Sequence, residues 1–261
     1  MAKRGSGPDF IEALARGLEV IQALGDAHDT MTMSELAEKT ALARPTVRRI
    51  LLTLEELGYV RTSKEGSALT PRVLELGVSY IQSQGLWDIA RPHMEALVAH
   101  THESSSIAQL DGSDIVYVAR VAVPKIVALR VGIGTRFPAA STSLGKVLLA
   151  DLGQEELDAV LAQPSRSGVV ARREVDRAQL ERELADTRAK GWCMTDQDLA
   201  VGIRSVAAPL RDATGRVVAA LNVNAHAGQT SVDRLLEHHL PRLLATASSI
   251  SEDYVRRNQL R

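Results

Sequence analysis

Residues 33–61 (Met33-Ser-Glu-Leu-Ala-Glu-Lys-Thr-Ala-Leu-Ala-Arg-Pro-Thr-Val-Arg-Arg-Ile-Leu-Leu-Thr-Leu-Glu-Glu-Leu-Gly-Tyr-Val-Arg61) constrain the fold more than any other stretch. They read as a helix, a tight turn at 41–43, and a second helix opened by Arg44 and Pro45. Ser34 is the expected cap of the first helix, with Leu36 and Ala37 facing inward. Proline is tolerated in the first turn of the second, where its missing N–H would have no intrahelical partner. Val47, Ile50, Leu51, Leu54 and Leu57 then recur at helical spacing and define a face to bury. Thr46, Arg48, Arg49 and Thr53 are left outward. Residues 58–62 and 68–70 read as two short strands around a polar, glycine-containing turn, the signal of a hairpin. Helix, turn, helix and basic hairpin together make a winged helix-turn-helix. The second helix of such a unit enters the major groove with its N-terminal residues against base edges. Arg44, Pro45, Thr46, Arg48, Arg49, Thr53 and, on the hairpin, Lys64 are therefore the candidate DNA-contacting residues. A solvated helix pair inside some larger fold is the competing reading, since such pairs are common. The arginines at the helix start and the hairpin directly after it weigh against that.

The rest of the chain bounds this picture. A length of 261 residues allows one large or two modest domains, and 45% hydrophobic residues supply a packed core. The formal net charge of -1 excludes a polybasic nucleic-acid coat, so DNA affinity must come from the local patch of Arg44, Arg48, Arg49, Arg61, Lys64 and Arg72. Few phosphate contacts per subunit follow, and a dimer would double them and steepen the salt dependence. The single cysteine, Cys193, permits no disulfide within the chain, which matches a reducing cytoplasm. Residues 1–8 lack the apolar stretch of a signal peptide and read as a frayed arm. No apolar run of about 18 residues offers a membrane-spanning helix. The expected location is cytoplasmic, with no membrane partner.

Residues 10–24 read as an amphipathic helix burying Phe10, Leu14, Leu18, Ile21 and Leu24. Residues 70–84, capped by Thr70 with Pro71 in the first turn, read as a connecting helix that ends at Gly85. Its Val73, Leu74, Leu76, Val78 and Ile81 either pair with a second subunit or pack on their own domain. Beyond Trp87 come a helix at 88–102, strands at 105–110 and 115–121 around an Asp-Gly turn, and a strand at 126–133. Helices follow at 143–152, 154–162 and 176–190, then strands at 203–210 and 217–224 and a final helix at 232–256. Antiparallel hairpins among helices make an α+β fold. The expected domains are a winged helix-turn-helix at 1–70, a linker helix at 71–86, and a second domain at 87–261.

A ligand site is suggested by residues 219–226. Leu221, Val223 and Ala225 face one way, and Asn222, Asn224 and His226 the other. That polar face is either open to water or the wall of a cavity, because unpaired polar groups are costly to bury. Ser205 and Ala207 on the neighbouring strand are small and leave room. Residues 132–146 form a glycine-rich loop entering a helix N-terminus, whose free N–H groups favour an anion. The glycine spacing of a phosphate loop is absent, so a carboxylate received by Ser143 and the helix amides is the better match. Arg130 and Arg136 are candidate charge partners, with surface salt bridges as the plainer role. Asp196 and Asp198, in an expected loop before Gly202, order that loop or meet a ligand hydroxyl. Catalysis is weakly signalled. Cys193, between Trp192 and Met194, reads as buried and has no evident base. His100, His102, His238 and His239 are not spaced as metal pairs. No metal or cofactor is expected.

In these segments the chain resembles the IclR family of bacterial transcriptional regulators. The resemblance runs from Asp9 to about Tyr254, through the winged helix and residues 138–150, 196–209 and 215–223. Residues 10–20, 69–77, 85–87, 103–106 and 114–120 are similar to the branch regulating the β-ketoadipate pathway, which responds to protocatechuate, 4-hydroxybenzoate or related compounds. The resemblance implies a GAF-like effector domain, homodimers that often pair into tetramers, and a small organic acid as effector. By position it implies an effector pocket at Ser143, Leu144, Thr195, Asp196, Ser205, Asn222 and Asn224. Leu144, Asn222 and Asn224 are larger or more polar than the family's usual groups there. The expected function is a one-component regulator that binds double-stranded operator DNA under control of an aromatic or keto acid. The alternatives are an enzyme with an N-terminal docking module and a DNA-binding scaffold indifferent to small molecules.

Overall fold

The structure, a computed structural model, describes residues 7–27, 29–124, 131–173 and 176–259. The chain divides into two compact units, the first ending at Ser83 and the second beginning at Gln84.

The first unit contains α1 (Glu12–Gly25), α2 (Met33–Thr40), α3 (Arg44–Glu56), β1 (Val60–Thr62), β2 (Ser67–Leu69) and most of α4 (Leu74–Gln84). Its core is Val20, Ala23 and Leu24 of α1, Leu36 of α2, Leu42 of the turn, Val47, Leu51 and Leu54 of α3, and Val60 of β1. The hairpin pairs Val60 with Leu69 and Thr62 with Ser67. Met31 adds a further bridge to Ser67, its N–H donating at 2.9 Å and its carbonyl accepting at 2.8 Å. That crossing is why residue 66 is glycine. A Cβ there would lie 2.6 Å from the Met31 carbonyl oxygen.

Three expectations for this unit are corrected. The cap of α2 is Thr32 rather than Ser34. Thr32 Oγ1 accepts from the Glu35 N–H at 3.3 Å, and the Thr32 N–H donates to Glu35 Oε2 at 2.7 Å, a complete capping box. Those hydrogen bonds, to the Thr32 backbone first, hold the Glu35 carboxyl below its ordinary pKa. Phe10, Leu14 and Leu18 are exposed rather than buried, because α1 turns its Val20–Ala23–Leu24 side to α2 and α3. Leu57, the residue closing α3, is half exposed.

The second unit is a six-stranded antiparallel sheet in the order β5-β4-β3-β8-β7-β6. Its strands are β3 (Ser104–Asp111), β4 (Asp114–Val121), β5 (Arg136–Pro138), β6 (Cys193–Asp196), β7 (Ile203–Arg211) and β8 (Val217–His226). One face packs on α5 (Leu86–Thr101) and α10 (Leu240–Gln259), burying Ile107, Val206, Leu221 and Val223 against Met94, Leu97, Leu243 and Ile250. The other face packs on α6 (Ser143–Ala150), with α7 (Gln154–Leu161) and α8 (Arg177–Lys190) adding Leu157, Leu180 and Leu184. The alternation of 219–226 thus separates two buried faces. The expected final helix begins as one turn, α9 (Val232–Arg234), passes through a π-helical stretch (Leu235–His239) and continues as α10. Of the strand expected at 126–133, residues 126–130 lie outside the described residues and 131–133 are not strand; the observed strand is β5. β6 forms where a loop was expected, pairing antiparallel with β7.

α6 is pinned to its neighbours by a buried cation. Lys146, 2% exposed, lies 2.7 Å from Glu183 of α8 and 3.1 Å from Asp198, which Arg173 also reaches at 3.4 Å. Burial alone would lower the lysine's pKa. The Glu183 hydrogen bond and the surrounding Cys193, Asp198 and Glu183 outweigh it, and the pKa is raised. Asp198 therefore orders the loop after β6, one of the two roles its sequence position suggested.

Two stability outcomes are expected in urea unfolding of the full chain. Thr32→Ala lowers the unfolding free energy by about 1 kcal/mol, whereas Ser34→Ala changes it by less than about 0.5 kcal/mol; equal losses would contradict the capping assignment. Lys146→Met strands two carboxylates and costs about 3 kcal/mol; an unchanged midpoint would show that this network does not hold α6.

Candidate functional site

On α3, Arg44, Pro45, Arg48, Arg49, Leu52 and Thr53 face solvent, opposite the buried Val47, Leu51 and Leu54. Ion pairs in this unit join Arg16 to Glu12, Lys39 to Asp26 and Arg72 to Glu75. Arg44, Arg48, Arg49, Arg61 and Lys64 have no carboxylate partner among the described residues, so their charges are available to phosphates and base edges. Thr53 Oγ1 donates to the Arg49 carbonyl at 3.0 Å, so its proton is engaged within the helix. Thr46 is half-buried and, with Arg49 and Thr53, edges the groove between α1 and α3. Lys64 is exposed at the hairpin turn. Arg72 lies 5.4 Å over the Tyr59 ring and braces the base of the hairpin.

In the second unit, strand register lines up polar side chains beneath α6. One row runs Thr195, Ser205, Asn224, Ser104 across β6, β7, β8 and β3; the next runs Cys193, Ala207, Asn222, Ser106, Arg120 across β6 to β4. Directly paired residues share a face, so each row points one way. Asn222, 2% exposed, is fully engaged. Its Oδ1 accepts from the Ser106 N–H at 2.9 Å, and its Nδ2 donates to Ser205 Oγ at 3.2 Å. Ser143 Oγ donates to Ser205 Oγ at 2.9 Å, tying the α6 N-terminus to the sheet. Thr142 caps α6 by accepting from the Gly145 N–H at 3.0 Å. Any larger residue at 145 would collide with the Ala139 carbonyl. The first-turn amides of Ser143 and Leu144 make no intrahelical bond. Tyr117 lies behind Asn222, its hydroxyl pKa pushed up to about 12 by burial, so it remains a neutral phenol.

These groups enclose a small cavity of about 20 Å³ lined by Tyr117, Phe137, Ser143, Leu144, Thr195, Ser205, Asn222 and Asn224, among others. Asn224 Oδ1 is buried without a hydrogen-bond partner. Six of the sequence-derived candidates therefore meet here: Ser143, Leu144, Thr195, Ser205, Asn222 and Asn224. Two do not. Asp196 is held by Arg204 through two contacts of 2.8 and 2.9 Å, which keep its carboxyl below the ordinary range. Arg136 pairs with Asp111 at 2.7 Å and Asp114 at 3.4 Å. Arg130 lies outside the described residues. Sequence reasoning missed Tyr117, Phe137 and Ile203, apolar or aromatic strand residues whose place depends on register. Cys193 is buried, and burial pushes its thiol up to about 11, so it carries no thiolate near neutral pH. No group of three His, Cys, Asp or Glu among the described residues could hold a metal ion, and no described helix is long and apolar enough to cross a membrane.

Comparison with known proteins agrees with this architecture. Residues 13–64 match the IclR helix-turn-helix domain, and residues 78–252 match the bacterial transcriptional regulator IclR C-terminal family. The Pca regulon regulatory protein of Pseudomonas putida is 38% identical over 244 residues, covering 93% of this chain and 84% of the relative. A crystal structure from Rhodococcus sp. RHA1, of a protein assigned as a transcriptional regulator, is 45% identical. Its TM-score is 0.82, over 95% of this chain and 99% of that one. An IclR homolog from Microbacterium hydrocarbonoxydans, solved in complex with 4-hydroxybenzoate, is 25% identical with a TM-score of 0.80, over 94% and 99% of the two chains. With its winged helix and α6-covered sheet matching both family domains, this chain belongs to the IclR family: it is a DNA-binding transcriptional regulator with a GAF-like effector domain, not an enzyme.

Proposed function

We propose that this regulator acts in the cytoplasm as a homodimer on genes of aromatic-compound breakdown, with a small hydroxylated aromatic acid as its effector. The observation that carries the effector reading is the buried, unpartnered Asn224 Oδ1 beside the free amides of Ser143 and Leu144. A buried acceptor without a donor is unfavourable by about 1–3 kcal/mol, and a phenolic hydroxyl would satisfy it. The Microbacterium relative that holds 4-hydroxybenzoate supports the same ligand class. Asn222 and Ser205 form the rigid wall, since their polar atoms already bond one another.

The dimer reading rests on the first unit's surface. Phe10, Ile11, Leu14 and Leu18 at α1, and Leu74, Leu76, Val78 and Tyr80 on α4, are large apolar residues left exposed. Exposed apolar side chains in this number are favoured sites for contact with another protein surface. In a dimer, α4 serves as the linker helix, α3 of each copy reads one half-site with Arg48 and Arg49 toward base edges, and Lys64 contacts the backbone. The effector alters operator affinity only by the difference in its own affinity for the two states of the protein.

Two experiments test this. Replacing Arg48 and Arg49 with alanine should abolish specific operator binding in fluorescence anisotropy, each lost guanine contact costing about 1–3 kcal/mol. Calorimetric effector binding should be unchanged, and parallel loss of both would contradict the assignment. Asn224→Leu should weaken 4-hydroxybenzoate binding roughly tenfold and benzoate binding far less. Equal losses would show that Asn224 does not meet the hydroxyl.

A further inference from the structure

The 20 Å³ space beneath α6 is on the scale of a water molecule, whereas a benzene ring needs roughly 150 Å³. Asn224 and Ile203 also border a second space of about 350 Å³, walled in addition by Glu103, Ser104, Arg120, Gly202 and His226. Arg120 is brought to it by an irregularity in the sheet. β3 pairs Ile107 with Ala119 and Ala108 with Tyr117, so Val118 is the extra residue of a β-bulge. Three residues apart on a regular strand, Tyr117 and Arg120 would point to opposite faces. With the bulge, both share the face of Asn222 and Asn224.

Arg120 Nη1 donates to Ser106 Oγ at 2.9 Å. No carboxylate among the described residues lies within ion-pair distance of it. Burial holds its pKa below the ordinary value, and the guanidinium remains charged. The other titratable groups on this wall are engaged. Glu103 Oε1 accepts from Thr230 Oγ1 at 2.9 Å, and His226 Nδ1 accepts from the Gly228 N–H at 3.1 Å. A half-buried cation without a counter-charge is unfavourable unless something supplies the charge. The strands bearing Arg120 and Asn224 are two apart in the sheet, about 10 Å at ordinary strand spacing. An arginine side chain and a para-substituted ring together cover that distance.

Resting on the aromatic-acid reading above, we propose that Arg120 is the residue that binds the effector's carboxylate, holding it in the 350 Å³ space while the ring's hydroxyl meets Asn224 Oδ1. The cationic partner of the effector is then on β4. Arg136, which the sequence suggested, is neutralised by Asp111 and Asp114.

The test is calorimetric binding of 4-hydroxybenzoate and of its neutral analogue 4-hydroxybenzamide to wild type, Arg120→Gln and Arg120→Lys, with thermal unfolding confirming each variant's fold. Wild type should prefer the acid. Arg120→Gln should lose about 10- to 100-fold for the acid and little for the amide, and Arg120→Lys should lose less for the acid. An acid affinity unchanged in Arg120→Gln, or an equal fall for acid and amide, overturns the assignment of Arg120 and leaves the aromatic-acid reading standing. Wild type that binds neither compound overturns that reading, and this inference with it.

Discussion

Asn222 lies at the centre of the effector domain, 2% exposed, between a sheet and the helix that covers it. A polar side chain in that position is tolerated only if its donors and acceptors are met. The surrounding structure is arranged to meet them. Ser106 supplies a backbone N–H, Ser205 an acceptor, Ser143 the link to α6, and Tyr117 a neutral phenol behind. These bonds fix the register of β3, β7 and β8 against the α6 N-terminus. They also leave one group unmatched, Asn224 Oδ1, at the edge of the packed wall. Two cations of the domain, buried Lys146 on α6 and half-buried Arg120 on β4, are treated differently. Lys146 is neutralised by carboxylates and anchors α6, whereas Arg120 has a serine hydroxyl and no carboxylate partner among the described residues. That contrast separates a structural cation from one placed to receive a ligand.

The DNA-binding unit follows the opposite rule. Its core is a small cluster of apolar side chains, and the basic side chains of α3 and the hairpin stay in solvent without ion partners among the described residues. Short caps and close backbone crossings position them: the Thr32–Glu35 box starts α2, and Gly66 lets the hairpin cross residue 31. Phosphate contacts made by such exposed charges are screened by salt, so operator affinity falls as ionic strength rises. Beside these charges, α1 and α4 leave large apolar side chains such as Leu14, Leu74 and Val78 in solvent.

Much of this was readable in the sequence. Helical periodicity located α2, α3, α5, α6 and α8 to within a few residues, and strict alternation in 219–226 separated the two faces of β8. Six cavity residues were identified through that alternation and the family resemblance. Four features escape such a reading. The α1 stripe holds only at its C-terminal end: Leu14 and Leu18 repeat at helical spacing as a buried face would, but packing turns Val20, Ile21, Ala23 and Leu24 to the core. The Thr32 cap carried its signal, a threonine three residues before a glutamate, but Ser34 competed for the same role. Arg120 was invisible as a site residue because its orientation depends on one extra residue, Val118, and no pattern of period two survives a bulge. β6 is four residues long, too short for its alternation to stand out after the Gly191 cap of α8.

The most direct test of the central claim, that a ligand on the α6-covered sheet governs DNA binding through the winged helix, is fluorescence anisotropy. The wild-type protein would be titrated against DNA from upstream of its own gene at fixed salt, with and without 4-hydroxybenzoate and protocatechuate. The expected result is a specific complex whose affinity at least one of these acids changes severalfold. A specific complex that neither acid alters, at concentrations where the protein demonstrably binds them, would contradict it.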